Sequence, residues 1–361
     1  MRKNTIFLVG ADTGGHVVPV FALAGDLSKD KNIRVIVVGV GSAIEKKFYS
    51  KLSNVEYKII IAGKFQFRNA WNNFVAVLKS GVGFFQSIGL IIKYRPKVVF
   101  LKGNYATVPV AYAARLLGVP VLAHESDAII GKSNRLISKF AKKLFVSYPL
   151  EIFNISGKNL VYSGPILRSE YSKKIDLNQK NKLPTVLILG GSQGAHGINE
   201  IIFAALKELA SGYIVIHQTG STDIKTAEIK KAELPKEIAD NYRPLSFVED
   251  DFNVIASADL IVSRSSSSIF EFAAFEKPTI LIPYPYASLD HQMANAKYFA
   301  RHNAAIMLDE KDLSPTILYS AISKILSSEK RKKELGENLR QAVRPGGEKI
   351  IREELFKFMR K

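Results

Sequence analysis

A glycine-rich turn near the N terminus, residues 10–16, carries the first candidate chemistry of this chain. In "TIFLVGADTGGHVVP" an apolar run breaks into small residues before a helical segment that begins near Val17. A strand that ends in such a turn presents backbone N–H groups and the positive end of a helix dipole, which together bind diphosphate or carboxylate. His16 adds an imidazole that can accept a proton or donate to a phosphate. The other candidate residues are Thr13, Gly14 and Gly15.

A second glycine-rich turn, residues 190–196, lies in the other half of the chain. It ends the apolar run of "LILGGSQGAHGINE", where Gly190 and Gly191 let the backbone pass close to a ligand and Ser192 and Gln193 open a helix. One such turn in each half predicts a cleft with a ligand group on each wall. The pair is more informative than either turn alone.

Two later stretches carry polar side chains suited to hydroxyl groups. In "SRSSSSIFEF", Glu271 falls in the first turns of a helix, where its carboxylate could accept hydrogen bonds from a diol such as ribose. In "DHQMANA", Gln292 and Asn295 are three residues apart and share a helix face, which suits sugar hydroxyls. Each pattern is also typical of an ordinary polar helix start, with a serine N-cap in the first case.

A further polar motif does not have metal-site spacing. The stretch "VLAHESDAII" contains His124, Glu125, Ser126 and Asp127, but a metalloprotease helix needs a second histidine four residues after the first, and position 128 is alanine. The chain has six histidines and no cysteine, which excludes disulfides and thiolate ligands. We predict neither a metal site nor a bound cofactor.

Positive charge is concentrated in the first half of the chain. The net charge is +18, and residues 1–163 hold 23 basic and 8 acidic side chains. Nucleic acid, an anionic bilayer and a phosphorylated substrate would all suit this charge. Since no aromatic RNP-type motif is present, we do not expect nucleic acid as a partner.

The aromatic and basic stretch of residues 63–97, "GKFQFRNAWNNFVAVLKSGVGFFQSIGLIIKYRPK", favours an anionic membrane surface. Insertion of apolar side chains and electrostatic attraction to anionic lipid both strengthen binding to such a surface. The sequence shows no run of eighteen apolar residues and no signal peptide. We therefore expect a peripheral protein on the cytoplasmic side of the cell membrane.

Short apolar runs alternate with helical segments twice along the chain. The first series is "TIFLV", "IRVIVVG", "VEYKIII", "KVVFL", "VPVLA" and "KKLFVS", and the second is "TVLIL", "YIVIHQ", "DLIVS", "TILIP" and "AAIML". This alternation predicts parallel sheets with right-handed crossovers. We expect an α/β protein of two Rossmann-like, doubly wound domains, residues 1–163 and 164–345, which face each other across a cleft. Apolar spacing in 346–361 predicts a final helix that packs back on the first domain.

Five motifs resemble those of the MurG family of peripheral-membrane glycosyltransferases, over nearly the whole chain. They are "TGGHVVP", "HESDAIIG", "LGGSQGAHGIN", "SFVEDDFNVIASADLIVSR" and "DHQMANA". The resemblance implies a GT-B architecture and an inverting transfer of N-acetylglucosamine from UDP-N-acetylglucosamine (UDP-GlcNAc) to the 4-hydroxyl of lipid-linked muramyl-pentapeptide (lipid I) in peptidoglycan synthesis. It implies no essential metal, and it implies cell-division or wall-synthesis proteins as partners.

The resemblance also implies roles for individual residues. The first domain would bind acceptor and membrane, with the first glycine-rich turn as the acceptor cradle and three residues that line the cleft: Tyr105, Glu125 and Asp127. The second domain would bind the donor. Ser192 and Gln193 would contact the UDP phosphates, and the Val248 backbone would contact uracil. Glu271 would bind the ribose, and Gln292 with Asn295 would bind the sugar hydroxyls. His16 would be the general base, and Arg168 with helix N termini would stabilise the departing UDP.

The sequence departs from the family pattern in places. Ala11 and Asp12 replace two glycines before "TGGH", and the serine loop 265–268 is one residue shorter than is usual. Three alternatives stay open: another GT-B enzyme with a different lipid acceptor, a UDP-GlcNAc epimerase, and a non-catalytic membrane-bound binding module. Conversion of UDP-GlcNAc without an acceptor would indicate the epimerase.

Overall fold

The chain divides into two compact units. A computed structural model describes residues 4–64, 70–153, 159–172, 182–190, 194–248 and 251–359. The first unit comprises residues 1–168 with 344–361, and the second comprises residues 169–343. The first unit therefore extends beyond the expected boundary at residue 163, as far as Arg168.

The first unit is built on a parallel sheet. Its strands are β1 (Asn4–Val9), β2 (Ile33–Gly39), β3 (Val55–Ile59), β4 (Val98–Lys102), β5 (Val121–Glu125), β6 (Lys143–Val146) and β7 (Leu160–Tyr162). Its crossover helices are α1 (Gly14–Leu27), α2 (Ala43–Tyr49), α3 (Ala70–Tyr94), α4 (Thr107–Leu116) and α5 (Lys132–Ile137), and a 3-10 helix covers Leu150–Ile152. The strand order is β3-β2-β1-β4-β5-β6-β7. The order reverses between β1 and β4, and ligands of such sheets bind at the carboxyl ends of the strands beside that point.

The second unit repeats this plan. Its strands are β8 (Thr185–Leu189), β9 (Ile214–Gln218), β10 (Tyr242–Leu245), β11 (Leu260–Ser263), β12 (Thr279–Leu281) and β13 (Ile306–Met307). Its helices are α6 (His196–Ala204), α7 (Leu206–Gly212), α8 (Ile224–Ala232), α9 (Lys236–Ala239), α10 (Asp251–Ser257), α11 (Ile269–Ala274), α12 (His291–Arg301), α13 (Pro315–Leu326) and α14 (Glu329–Gln341), with 3-10 helices at Ser169–Ser172, Ser288–Asp290 and Glu310–Asp312. The strand order β10-β9-β8-β11-β12-β13 reverses between β8 and β11. The prediction of two doubly wound parallel-sheet domains is confirmed.

Two edge strands, β7 and β10, are absent from the predicted series. Strand β7 has only three residues, all of them half-buried. Strand β10 alternates buried and exposed residues and contains Pro244. Proline lacks the N–H that a central strand needs, but an edge strand can accommodate it. A search for apolar runs misses β7 because it is only three residues long, and misses β10 because its sequence is YRPL.

The C-terminal helix α15 (Gly347–Met359) belongs to the first unit. It contacts α1 and β4, and its residues Ile351, Leu355 and Met359 are buried in the apolar core of that unit. These positions are four residues apart and so lie on one helix face. The first unit therefore contains chain from both ends of the sequence.

Replacing Leu355 with alanine should lower the free energy of unfolding by about 3 kcal/mol, because a fully buried leucine would leave a cavity. The measurement is urea denaturation followed by fluorescence. The matched control is Glu353→Ala on the exposed face of the same helix, for which we expect a change below about 0.5 kcal/mol. Equal effects for the two variants would mean that α15 does not stabilise the first unit.

Candidate active site

The first glycine-rich turn joins β1 to α1, and Gly14 and Gly15 begin the helix. Thr13 is the N-cap, and its carbonyl oxygen accepts the amide N–H of His16 at 3.0 Å. The Thr13 Oγ1 and His16 Nδ1 atoms are 2.8 Å apart, and the imidazole is half-buried. A side chain at Gly10 is excluded, because its Cβ would lie 2.5 Å from the His16 carbonyl oxygen. The turn thus holds an imidazole, anchored through Nδ1, beside a helix N terminus.

Glu45, a residue that the sequence analysis missed, fixes this turn. Its buried carboxylate accepts the amide N–H of Asp12 at 2.8 Å and those of Val40 at 2.8 Å and Gly41 at 3.2 Å. Asp12 has a φ of 75°, in the left-handed region that glycine adopts most readily. Its carboxylate also forms an ion pair with Lys64, with 3.0 Å between Nζ and Oδ2. These two contacts stabilise Asp12 in a backbone conformation that glycine adopts more readily.

The loop after β4 lies beside the first glycine-rich turn. The Asn104 Nδ2 atom donates a hydrogen bond to the carbonyl oxygen of Ala11. Tyr105 is half-buried, and burial together with the Asp12 and Glu45 carboxylates raises the pKa of Tyr105 to about 12. Its phenol is therefore neutral at physiological pH and can donate a hydrogen bond at this edge of the sheet.

Glu125 organises the loop after β5. Its carboxylate is buried and accepts the amide N–H groups of Ser126 at 2.9 Å, Asp127 at 3.2 Å and Gly131 at 2.8 Å. Burial and the Asp127 charge raise the pKa of Glu125, and the Lys102 charge with the hydrogen bonds from Gly131 and Asn134 opposes that shift. Burial lowers the pKa of His124 well below its usual range, so this imidazole is neutral. Glu125 therefore shapes the loop, and the half-buried Asp127 is the better candidate for contact with a ligand.

The second glycine-rich turn is described only in part. Ser192 and Gln193 lie outside the described residues, so their predicted role stays a prediction. Gly194 has a φ of 82°, and a Cβ there would lie 2.4 Å from the carbonyl oxygen of Thr219, just after β9. At position 194 the backbone therefore passes too close to Thr219 for any residue except glycine.

Three predicted donor residues differ in exposure. Glu271 is half-buried in the first turn of α11, as the sequence predicts. The Gln292 Oε1 atom accepts the amide N–H of Tyr284 at 2.9 Å. Asn295 is fully buried, and its Nδ2 atom donates to the carbonyl oxygen of Ser265 at 3.0 Å. Asn295 thus holds the serine loop in place, and Glu271 and Gln292 are the more accessible pair.

The remaining donor candidates are Val248 and Arg168. Val248 is buried, and its amide N–H donates to the Gln218 Oε1 atom at 3.0 Å. Arg168 is half-buried and is the last residue of the first unit before the chain enters the second. Within the described ranges, no cluster of three His, Cys, Asp or Glu side chains has a geometry that could hold a metal ion.

Arg264, which the sequence analysis did not single out, joins several loops at the carboxyl edge of the second sheet. Its buried guanidinium donates two hydrogen bonds to Glu310 and a third to the carbonyl oxygen of Ile282, and it lies over the Tyr284 ring. Glu310 in turn packs against Gly197 near the start of α6, where a Cβ would lie 2.3 Å from the carboxylate. The position of Arg264 directly after a buried strand is the feature of the sequence that could have indicated this role.

Helix α3 presents an apolar stripe to solvent. By length and composition alone, its 25 residues could cross a membrane. Three of its small residues face the protein: Ala76 and Ser87 are buried, and a Cβ at Gly83 would clash with the carbonyl oxygen of Ile61. The Ile61 amide also donates to the Gln86 side chain at 2.7 Å. The exposed stripe consists of Trp71, Phe74, Val77, Leu78, Val82, Phe85 and Ile92.

Known proteins resemble this chain along most of its length. Residues 6–146 match the glycosyltransferase family 28 N-terminal domain, and residues 185–349 match the family 28 C-terminal domain. The UDP-N-acetylglucosamine–N-acetylmuramyl-(pentapeptide) pyrophosphoryl-undecaprenol N-acetylglucosamine transferase of Treponema denticola is 32% identical over 334 residues, which is 86% of this chain and 85% of the relative. The transferase of the same name from Bdellovibrio bacteriovorus is 30% identical and covers 98% of this chain and 99% of its own.

A solved structure agrees with these relatives. The crystal structure of Acinetobacter baumannii MurG superposes with a TM-score of 0.76 at 27% identity, over 98% of this chain and 99% of that one. Both units of the fold are therefore matched together. The chain belongs to glycosyltransferase family 28 and, within it, to the MurG family.

Proposed function

We propose that this protein transfers N-acetylglucosamine from UDP-GlcNAc to the 4-hydroxyl of lipid I, with inversion at the anomeric carbon. The observation that carries this proposal is the similarity to transferases of this named activity over nearly nine-tenths or more of both chains. The carboxyl edges of the two sheets support it, since each has a glycine-rich turn beside the point where strand order reverses.

His16 is the proposed general base that takes the proton of the attacking hydroxyl. A neutral imidazole carries one proton, so only one of its two nitrogens can accept another. When Nδ1–H donates to the Thr13 hydroxyl oxygen, Nε2 holds the lone pair and can act as the base. Thr13 thus orients the ring, and its hydroxyl oxygen can accept from Nδ1–H when Nε2 is the base.

The departing UDP gains negative charge as the anomeric bond breaks. Backbone N–H groups at a helix N terminus stabilise such charge, and a guanidinium adds a permanent positive charge. We assign this role to the second glycine-rich turn and Arg168, with Glu271 at the ribose and Gln292 at the sugar hydroxyls. The reaction then needs no divalent ion.

Helix α3 is the proposed membrane contact. One face packs against the protein along most of the helix, so a transmembrane orientation would require this face to unpack. The exposed apolar stripe can instead enter the headgroup region of a bilayer with the helix parallel to its surface. Exposed Lys79 and Lys93 on the same helix add attraction to anionic lipid. We therefore propose a peripheral location on the cytoplasmic side.

The test of the reaction is a transfer assay with radiolabelled UDP-GlcNAc and a short-chain lipid I, with EDTA present. Label in the lipid product would establish donor, acceptor class and independence from divalent metal together. Binding of UDP without transfer would contradict the proposed acceptor and favour another lipid or a non-catalytic module. Conversion of UDP-GlcNAc without an acceptor would favour an epimerase.

Replacing Thr13 with valine should lower kcat by about 10-fold, because the imidazole loses the hydrogen bond that orients its ring. KM for UDP-GlcNAc should stay within about twofold. Steady-state kinetics with both substrates measure this, and Thr13→Ser, which keeps the hydroxyl, is the matched control. A valine variant as active as the serine variant would show that the hydroxyl has no such role.

A further inference from the structure

Lys102 is a fully buried lysine at the carboxyl end of β4. Its side chain is 1% exposed, and its residue pairs with His124 in the β4–β5 register. Burial of an ammonium group costs several kcal/mol unless opposite charges and hydrogen bonds compensate for lost hydration. The groups that compensate for burial of the Lys102 ammonium must therefore lie among its neighbours.

The polar neighbours of Lys102 lie at the end of β5 and in the loop that follows it. The Lys102 Nζ atom donates to the Ser126 hydroxyl oxygen at 2.8 Å. The carboxylates of Glu125 and Asp127 provide the opposite charge. Burial lowers the pKa of Lys102, and these two carboxylates oppose that shift. One cation thus offsets part of the charge of two carboxylates that are two residues apart in the chain.

The carboxyl end of β5 lies beside that of β4, and the loop after β4 leads to the proposed acceptor edge. Tyr105 follows Lys102 by three residues, and Asn104 between them bonds to Ala11 of the first glycine-rich turn. Without the ammonium group, the Glu125 and Asp127 carboxylates would repel each other in a partly buried setting, where Coulomb energies are larger than in water. They would also repel an anionic acceptor that approaches the turn.

We propose that Lys102 is a positioning residue of the acceptor site: its ammonium group holds Ser126 and offsets part of the negative charge of Glu125 and Asp127, so that Asp127 stays in place at the acceptor edge. The inference rests on the proposed function. It assigns Lys102 to acceptor binding, whereas UDP-GlcNAc binding is assigned to the second unit. Removal of the Lys102 ammonium group should therefore change KM for the lipid acceptor more than KM for UDP-GlcNAc.

The test is a double-mutant cycle of Lys102→Met, which is close in size and uncharged, and Asp127→Asn, which is isosteric. Lys102→Met should raise KM for the lipid acceptor by about 10-fold and leave KM for UDP-GlcNAc within about twofold. In the Asp127→Asn background the same lysine substitution should raise the acceptor KM by only about threefold, because one of the two charges it balances is already gone. Thermal unfolding is recorded for every variant.

Ser126→Ala provides a milder probe, because it removes one hydrogen bond to Nζ and keeps every charge. It should raise the acceptor KM by about threefold, and it tests the proposal if Lys102→Met does not fold. An unchanged acceptor KM in the folded variants, equal changes in both KM values, or equal lysine effects in the two backgrounds would each overturn the proposal. Absence of transfer by the wild-type protein would overturn the proposed function and this inference with it.

Discussion

Replacing His16 with alanine should lower kcat by about 10³-fold and leave KM for UDP-GlcNAc within about twofold. Proton transfer by a positioned side chain contributes 10²- to 10⁴-fold to such reactions. Donor binding is assigned to the second unit, so the imidazole should matter for turnover and not for donor affinity. Steady-state kinetics with varied donor and saturating short-chain lipid I measure both quantities.

Two further measurements sharpen the His16 result. Added imidazole should restore part of the activity of the alanine variant, because it can accept the proton at the vacated position. His302→Ala is the control, since His302 is an exposed histidine whose Nδ1 atom contacts the Tyr298 carbonyl oxygen at the end of α12. A His16→Ala variant with the kcat of this control would remove His16 from the mechanism.

Changing Trp71, Phe74 and Phe85 to serine should weaken binding to anionic vesicles by more than about 100-fold. Burial of one large apolar side chain contributes about 1.5–3 kcal/mol, so three of them account for more than this change even if each enters the bilayer only partly. The three side chains are 55–72% exposed, and their replacement should not destabilise the fold. Vesicle cosedimentation at several lipid concentrations measures the partition coefficient.

The control for membrane binding is Tyr286→Ser, which removes an aromatic side chain that is 83% exposed in the second unit. Its binding should equal that of the wild-type protein. The triple variant should keep its activity toward a short-chain acceptor in detergent, since α3 contains no proposed site residue. Higher salt should weaken wild-type binding, because it screens exposed charge. Tight binding of the triple variant would place the membrane contact elsewhere.

Some features of the candidate site could be predicted from the sequence. The first glycine-rich turn, the N-terminal position of Glu271 in α11 and the polar start of α12 were all predicted from neighbouring residues. Each depends on local rules, such as the glycine turn after a strand or an acidic residue in the first turn of a helix. The resemblance to the MurG family then connected these separate patterns to one reaction.

Other contributions to the site depend on contacts between distant parts of the chain. Glu45 reads as half of an ordinary capping box with Ser42, yet its carboxylate also holds Asp12, 33 residues away in sequence. Arg264 and Glu310 are 46 residues apart, and nothing near either one predicts their pairing. The roles of these residues therefore follow from the tertiary structure and not from the neighbouring sequence.

The fold class, the two glycine-rich turns and the family all follow from the sequence, because apolar periodicity and turn chemistry depend on neighbouring residues. The packing of distant strands and helices determines which polar side chains are accessible to a ligand and which hold the site together. Glu125 and Asn295 appear in the sequence as binding residues, but packing buries both. A buried polar group must satisfy its hydrogen bonds within the protein, and their partners are set by the packing of neighbouring strands and helices.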